Sequence, residues 1–301
     1  MTNSLNENSC RLVSSRGILK SCDIHSATPV SSIPNLINYA WNKLKPGSTI
    51  YVCTPAIGSF AQLLAQIPCP VILVSGDADE DTPTNIFASE RDFLTFIESP
   101  KIIHWFAQNA VVKHPKFSSI PIGLDYHTMS QGDSHWGPQI SPANQEKLLE
   151  SIRQNAAPLP QRILKAHANF HFLMTTKYGA DRVRAKQLIP SELVDYESTR
   201  VHRETTWKNQ SKYAFVVSPH GNGLDCHRTW EALCLGCIPI VRTSPLDSLF
   251  DGLPVYIVKD WSDVTEENLK RQLNDFSQCP FDLNRLTLKY WMDKINSKKI
   301  S

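Results

Sequence analysis

The stretch from Tyr213 to Val241, YAFVVSPHGNGLDCHRTWEALCLGCIPIV, constrains the fold more than any other part of the chain. Tyr213 to Val217 is a short β-branched and aromatic run closed by Ser218 and Pro219, which suits a buried strand. Gly221, Asn222 and Gly223 make a turn in which the backbone is free to take positive φ and to approach a neighbour closely. Leu224 to Leu235 has helical spacing, with Trp230, Leu233 and Cys234 toward one side, and Gly236 stops it. Cys237 to Val241 is the next buried strand. Strand, glycine turn, helix and strand together make one unit of a parallel α/β sheet.

A glycine turn leading into a helix is a ready anion site, because free backbone N–H groups and the helix dipole point the same way. On this reading Ser218, His220, Gly221, Asn222 and Gly223 cradle a phosphate. Arg228 lies one turn into the expected helix and can grip phosphate bidentately. Glu231, three residues on, shares its face and can accept hydrogen bonds from a ribose diol. The spacing is neither G-x-G-x-x-G nor the G-K-[ST] of a P-loop. The plainer alternative is a βαβ unit whose glycines serve only the turn.

The motif Pro219-His220-Gly221, then Arg228, Glu231-Ala232-Leu233 and Gly236-Cys237-Ile238-Pro239-Ile240, resembles the C-terminal signature of the exostosin-like glycosyltransferases. That signature has a proline, a glycine two residues on, an arginine seven residues later, an acidic residue with alanine, and Gly-Cys-Ile-Pro, all at this spacing. The chain departs from it with Asp225 and Cys226 where serines are usual, and with Glu231 where aspartate is commoner. The resemblance implies two Rossmann-like domains facing a cleft, the GT-B architecture, with a C-terminal helix crossing back to the N-terminal domain. It also implies transfer of a sugar from a UDP- or GDP-sugar to a glycan or other hydroxyl acceptor, without a metal or other cofactor. His220 then joins the helix N-terminus and Arg228 in holding the charge that grows on the departing diphosphate.

The rest of the chain alternates in the way that fold requires. A helix is expected over 33–44, then strands at 49–53, 71–74 and 101–106 with helices at 59–66 and 85–98 between them, and a further strand near Ile120. The Gly-, Pro- and Gln-rich run from Met129 to Pro160 reads as the domain boundary. The expected organisation is an acceptor domain over 1–155, a nucleotide-sugar domain over 156–283, and a helix and tail over 284–301. Residues 1–32 read as a frayed tail with one strand. In the second domain, the first strand and the basic helix after it offer Arg182 to the donor diphosphate.

Three carboxylates compete for other roles. Asp77-x-Asp79 matches the metal-binding pair of single-domain GT-A transferases, in which two carboxylates hold Mg²⁺ or Mn²⁺ on the donor diphosphate. A metal-dependent transferase is therefore one alternative, and a non-catalytic nucleotide-sugar-binding module is another. In a two-domain enzyme Asp79 faces the acceptor and is the first choice for general base, with Asp125, in Pro121-Ile-Gly123-Leu-Asp125, the second.

Bulk properties exclude several classes. The 301 residues are 41% hydrophobic and 20% charged with a net charge of +2, an ordinary globular balance with no strong field for nucleic acid. No apolar run reaches the roughly 18 residues of a transmembrane helix, and the first residues lack the apolar core of a secretory signal. A cytoplasmic enzyme is expected. The eight cysteines are read as free thiols, since Cys234-x-x-Cys237 lacks the second pair that zinc requires.

Overall fold

A computed structural model describes residues 6–171, 175–197 and 199–299. The first five residues and Ile300–Ser301, parts of the two expected tails, lie outside it. Helix α1 (Ser15–Ser21) precedes β1 (Thr49–Cys53), α2 (Ile57–Leu63), β2 (Val71–Gly76), α3 (Glu90–Ile97), β3 (Ile102–Ala107) and β4 (Phe117–Ser119). These four strands form one parallel sheet in sequential order. Short α4 (His127–Ser130) and long α5 (Pro142–Asn155) connect to the second sheet. That sheet contains β5 (Ile163–Ala168), β6 (Val194–Tyr196), β7 (Tyr213–Val217), β8 (Ile238–Arg242) and β9 (Tyr256–Val258). Helices α6 (Gly179–Leu188), α7 (Arg203–Gln210) and α8 (His227–Cys234) lie between its strands, and α9 (Glu266–Gln278) and α10 (Leu288–Asn296) follow. The order is β6-β5-β7-β8-β9, all parallel.

Every residue of β1 and β2 is buried, as expected of parallel strands covered on both faces. The alternation of side chains divides the core. In β2, Val71 and Leu73 point into a cluster with Trp105 and Phe96, whereas Ile72 and Val74 point into a second cluster. That second cluster also receives Val216 of β7, Trp230 and Leu233 of α8, Leu149 of α5, Ile18 of α1 and Trp291 of α10. A third fills the far face of the second sheet around Phe215, Val217 and Trp261. The two domains therefore share one continuous apolar core.

Helix α10 crosses back to the first domain. Val13 N–H donates to Leu286 C=O at 2.9 Å, and Leu288 N–H to Arg11 C=O at 2.8 Å. Trp291 is fully buried. The expected tail at 1–32 contains α1, capped by Ser14 Oγ accepting from Gly17 N. The expected helix over 33–44 is instead a loop with a single 3₁₀ turn at Trp41–Lys43. Asn38 there takes φ +58°, and Ser26 and Tyr39 form a bridge, so the segment spends its backbone on its neighbours. The strand expected near Ile120 lies earlier, at Phe117–Ser119. Helix α8 begins at His227 rather than near Leu224.

Candidate active site

The sheet order reverses direction between β5 and β7, and in open α/β sheets ligands bind beyond the carboxyl ends of the strands at such a point. A cleft of about 280 Å³ opens there. The second domain lines it with Phe170 after β5, the glycine turn after β7, and Arg228 and Glu231 of α8. Asp79, Ile122 and Asp125 of the first domain form the opposite wall.

The glycine turn is held from behind. Asp181, buried on α6, accepts His220 N–H at 3.0 Å and Trp261 Nε1–H at 2.8 Å, and pairs with Arg242 at 2.7 Å. One carboxylate thus ties together the loop after β7, the end of β8 and the turn after β9. Arg182 donates through Nε to His220 C=O at 3.1 Å and through Nη1 to His171 C=O at 3.5 Å. Gly221 lies against that guanidinium, and a Cβ added there would meet Arg182 Nη2 at 2.5 Å.

The tip of the turn faces the other domain rather than open space. A Cβ on Gly223 would fall 2.8 Å from Asn109 Nδ2 and 2.9 Å from Asp79 C=O. Beside it, the Asp225 carboxylate accepts Ile122 N–H across the domain boundary at 2.7 Å and Trp230 Nε1–H at 2.9 Å. Asp225 N–H in turn donates to Asn109 Oδ1 at 3.0 Å. Burial pushes the Asp225 carboxyl up to about 6. Asp225 is therefore an interdomain connector, whereas Leu224 C=O and Cys226 Sγ bond back to His220 and Pro219 of the turn, and the helix begins only at His227.

Deeper in the cleft, Arg203 of α7 donates to Asp125 C=O at 2.5 Å and to its Oδ2 at 3.0 Å, and lies 3.7 Å from Glu231. The other Asp125 oxygen accepts Thr128 N–H at 3.0 Å and faces His127 Nδ1 at 3.1 Å. Burial alone would raise the Asp125 pKa, but His227, Arg203 and His127 outweigh it and hold the carboxyl well below its ordinary range. Burial lowers His127 to about 4, so its contact with Asp125 is a hydrogen bond of the neutral ring at pH 7.

Arg228 differs from its neighbours. Arg203 is balanced by two carboxylates, and Arg182 is spent on loop carbonyls. Arg228 stacks over the Phe170 ring, 5.5 Å from its centroid, and makes no hydrogen bond or ion pair to any described residue. Its Nη1 is buried without a partner. Burial brings its pKa down to about 10, which leaves it charged at neutral pH. The N-cap residue of α8, Cys226, offers no side-chain cap to the first turn; Thr229 N–H donates to Cys226 C=O at 3.0 Å, which leaves the His227 and Arg228 N–H groups without an intrahelical acceptor.

The residues singled out in the sequence separate into groups. Asp79, Asp125, Arg182, Gly221, Asn222, Gly223, Arg228 and Glu231 all line the cleft. Ser218 lies behind it, its hydroxyl shared with Thr229 at 2.8 Å. His220 is buried behind the turn, with Nδ1 on Leu224 C=O at 2.9 Å and its ring against Tyr178. Asp77 is not paired with Asp79 in the cleft. It is buried in the first domain, accepts Ser31 Oγ–H at 2.8 Å and faces Arg16 at 3.6 Å, whereas Asp79 is exposed. No group of three or more metal-ligating side chains occurs among the described residues. All eight cysteines are free, and Cys237 packs on Arg162 Nη1 at 3.2 Å. No described helix is long and apolar enough to cross a membrane. Arg203 and His227 went unforeseen, because each reads in sequence as an ordinary polar residue of a first helical turn.

No family model matches the chain, and no curated protein matches it. Among solved structures, it is similar to an alpha,alpha-trehalose 6-phosphate synthase from Burkholderia multivorans at 12% identity and a TM-score of 0.42, over 85% of this chain and 72% of that one. It is also similar to trehalose-6-phosphate from E. coli bound with UDP-2-fluoro glucose, at 10% identity and 0.37, over 86% and 74%. An alpha,alpha-trehalose-phosphate synthase (UDP-forming) from Burkholderia vietnamiensis gives 10% and 0.37. At this level the likeness is one of overall shape and assigns no chemistry to the cleft.

Proposed function

We infer that the chain is a glycosyltransferase that takes a sugar from a nucleoside diphosphate sugar, with UDP or GDP as the leaving group, and passes it to a hydroxyl of a glycan or similar acceptor without a metal ion. The observation that carries this reading is Arg228: a charged guanidinium, unpaired among the described residues, on the first turn of a helix that opens into a cleft between two parallel α/β domains. A guanidinium partly withdrawn from water, with Nη1 enclosed and no counterion among the described residues, is costly, and a diphosphate seated on the α8 N-terminus satisfies it. The exostosin-like spacing through Pro239 agrees with this assignment.

Arg228 and the first N–H groups of α8 neutralise the negative charge that grows on the β-phosphate as the glycosidic bond breaks. Preorganised donors of this kind supply roughly 2.7–4 kcal/mol each. Glu231, held loosely by Arg203, faces the ribose. Arg182 and Asp181 fix the glycine turn. Asp125 and Arg203 join the two walls, and Asp125, with both oxygens engaged, is an electrostatic anchor rather than a proton acceptor. The metal-dependent alternative loses its pair of ligands, since Asp77 is committed to Ser31 and Arg16.

The test is a panel of UDP- and GDP-sugars incubated with the protein in EDTA and followed by ³¹P NMR. Release of nucleoside diphosphate from one of them, accelerated by a sugar acceptor, is the expected outcome. Release only after added Mg²⁺ or Mn²⁺ overturns metal independence, and no release from any donor overturns the transferase reading.

A further inference from the structure

We propose that His227 is the general base that takes the proton from the acceptor hydroxyl, a role that rests on the transferase reading above. His227 is the first residue of α8 and lines the cleft directly beside Arg228. Its Nδ1 lies 2.7 Å from Gly123 C=O in the opposite domain. A carbonyl oxygen only accepts, so Nδ1 carries the hydrogen and Nε2 holds the lone pair. Nε2 makes no hydrogen bond to any described residue, and it is not among the enclosed polar atoms that lack a partner. It is therefore a basic nitrogen open to the cleft, its tautomer fixed by backbone.

The other candidates lack this combination. Both Asp125 oxygens are engaged by Thr128 N–H, His127 and Arg203. Asp79 stands exposed at the rim, and His220 is buried behind the turn with Nδ1 tied to Leu224 C=O. The His127 ring, 6.4 Å away, is turned to Asp125. Asp125 in turn offers a nearby negative charge to stabilise the imidazolium that proton transfer creates.

In the step, the acceptor oxygen bonds to the anomeric carbon as its proton moves to His227 Nε2. The bond from that carbon to the β-phosphate oxygen breaks, and its electron pair leaves on the diphosphate beside Arg228. The products are a glycoside of inverted configuration, a nucleoside diphosphate and an imidazolium that returns its proton to solvent.

The deciding variant is His227→Asn, whose amide N–H replaces Nδ1–H on Gly123 C=O while removing Nε2. His227→Gln, which puts a polar but non-basic group near Nε2, is the companion should the first disturb the fold. Each is assayed with a hydroxyl acceptor and with azide, an anion that needs no base, and each is titrated with the nucleoside diphosphate. The expected result is a loss of about 10²-fold or more with the hydroxyl acceptor, azide transfer near the wild-type rate, and unchanged nucleotide affinity. Equal losses with both acceptors, weakened nucleotide binding, or a product that retains the donor's anomeric configuration overturns the assignment. A wild-type protein that binds no nucleoside diphosphate overturns the transferase reading instead.

Discussion

Gly223 of the second domain touches Asn109 of the first so closely that a single added methyl would meet Asn109 Nδ2 at 2.8 Å. Asn109 is itself held at φ +50°, with Oδ1 accepting Asp225 N–H, so it has little freedom to retreat. The glycine is required by the seam between the domains rather than by a ligand. Gly223→Ala is expected to cost about 1–3 kcal/mol, as overpacking does, measured by urea unfolding. Gly221→Ala, whose Cβ would meet the end of the Arg182 side chain, is expected to weaken nucleotide binding more than it weakens the fold.

Asp225 gives the seam a pH dependence of unusual sign. Its pKa is raised by burial to about 6, so the folded state binds the proton more tightly than the unfolded chain does. Stability from this group therefore rises as pH falls from about 6 toward the unfolded carboxyl range, and the gain is absent above pH 6. Asp125, held low, acts oppositely: its contribution is present above the unfolded carboxyl range and is lost as pH falls below it. Because burial holds His127 and His104 low, at about 4, the folded state loses stability toward pH 5 through them in both proteins, so the Asp225 effect is read as a difference: between pH 7 and pH 5 the wild type is expected to lose less stability to urea than Asp225→Asn. The size of that difference is on the order of 1 kcal/mol.

Asp77 is predicted to serve the fold and not a metal. Asp77→Ala leaves Arg16 buried without its carboxylate, and breaking a buried pair in this way costs about 3–5 kcal/mol. The thermal midpoint should fall accordingly, and the wild-type activity should survive EDTA. A stable Asp77→Ala protein that has lost activity, or an EDTA-sensitive wild type, would restore the metal reading.

Glu231 is assigned to the ribose, so its loss should be felt only by ligands that have one. Glu231→Ala is expected to weaken UDP or GDP several-fold while inorganic pyrophosphate binds as before, both read by calorimetry. Arg203 keeps Asp125 as a partner in this variant, so the fold should hold. Equal weakening of the two ligands contradicts the ribose assignment.

Much of the second domain was legible from local chemistry. The apolar runs 213–217 and 238–241 and the stop at Gly236 mark β7, α8 and β8, and Thr265 caps α9 as its sequence suggests. The features that escaped depend on partners far away in the chain. Ser14, Ser15 and Arg16 look like a polar tail, and become buried only because Gly123 and Leu286 pack on that segment. Ile33 to Leu44 has helical spacing, but its bridge to Ser26 and the left-handed Asn38 hold it in a loop. The helix start was misplaced by three residues because Asp225 is claimed by Ile122 and Trp230. Arg203 and His227 gain their meaning from Asp125 and Gly123, which no pattern near them in sequence announces.

The account stands on Arg228, and titration calorimetry of UDP and GDP into the wild type and Arg228→Ala in EDTA addresses it most directly. Because this guanidinium makes no polar contact with any described residue, the variant should melt within a few degrees of the wild type. The nucleoside diphosphate that the wild type binds should bind it at least tenfold more weakly, about 1.4 kcal/mol or more. Unchanged affinity, or unfolding of the variant, would contradict the claim that this arginine exists to hold a diphosphate.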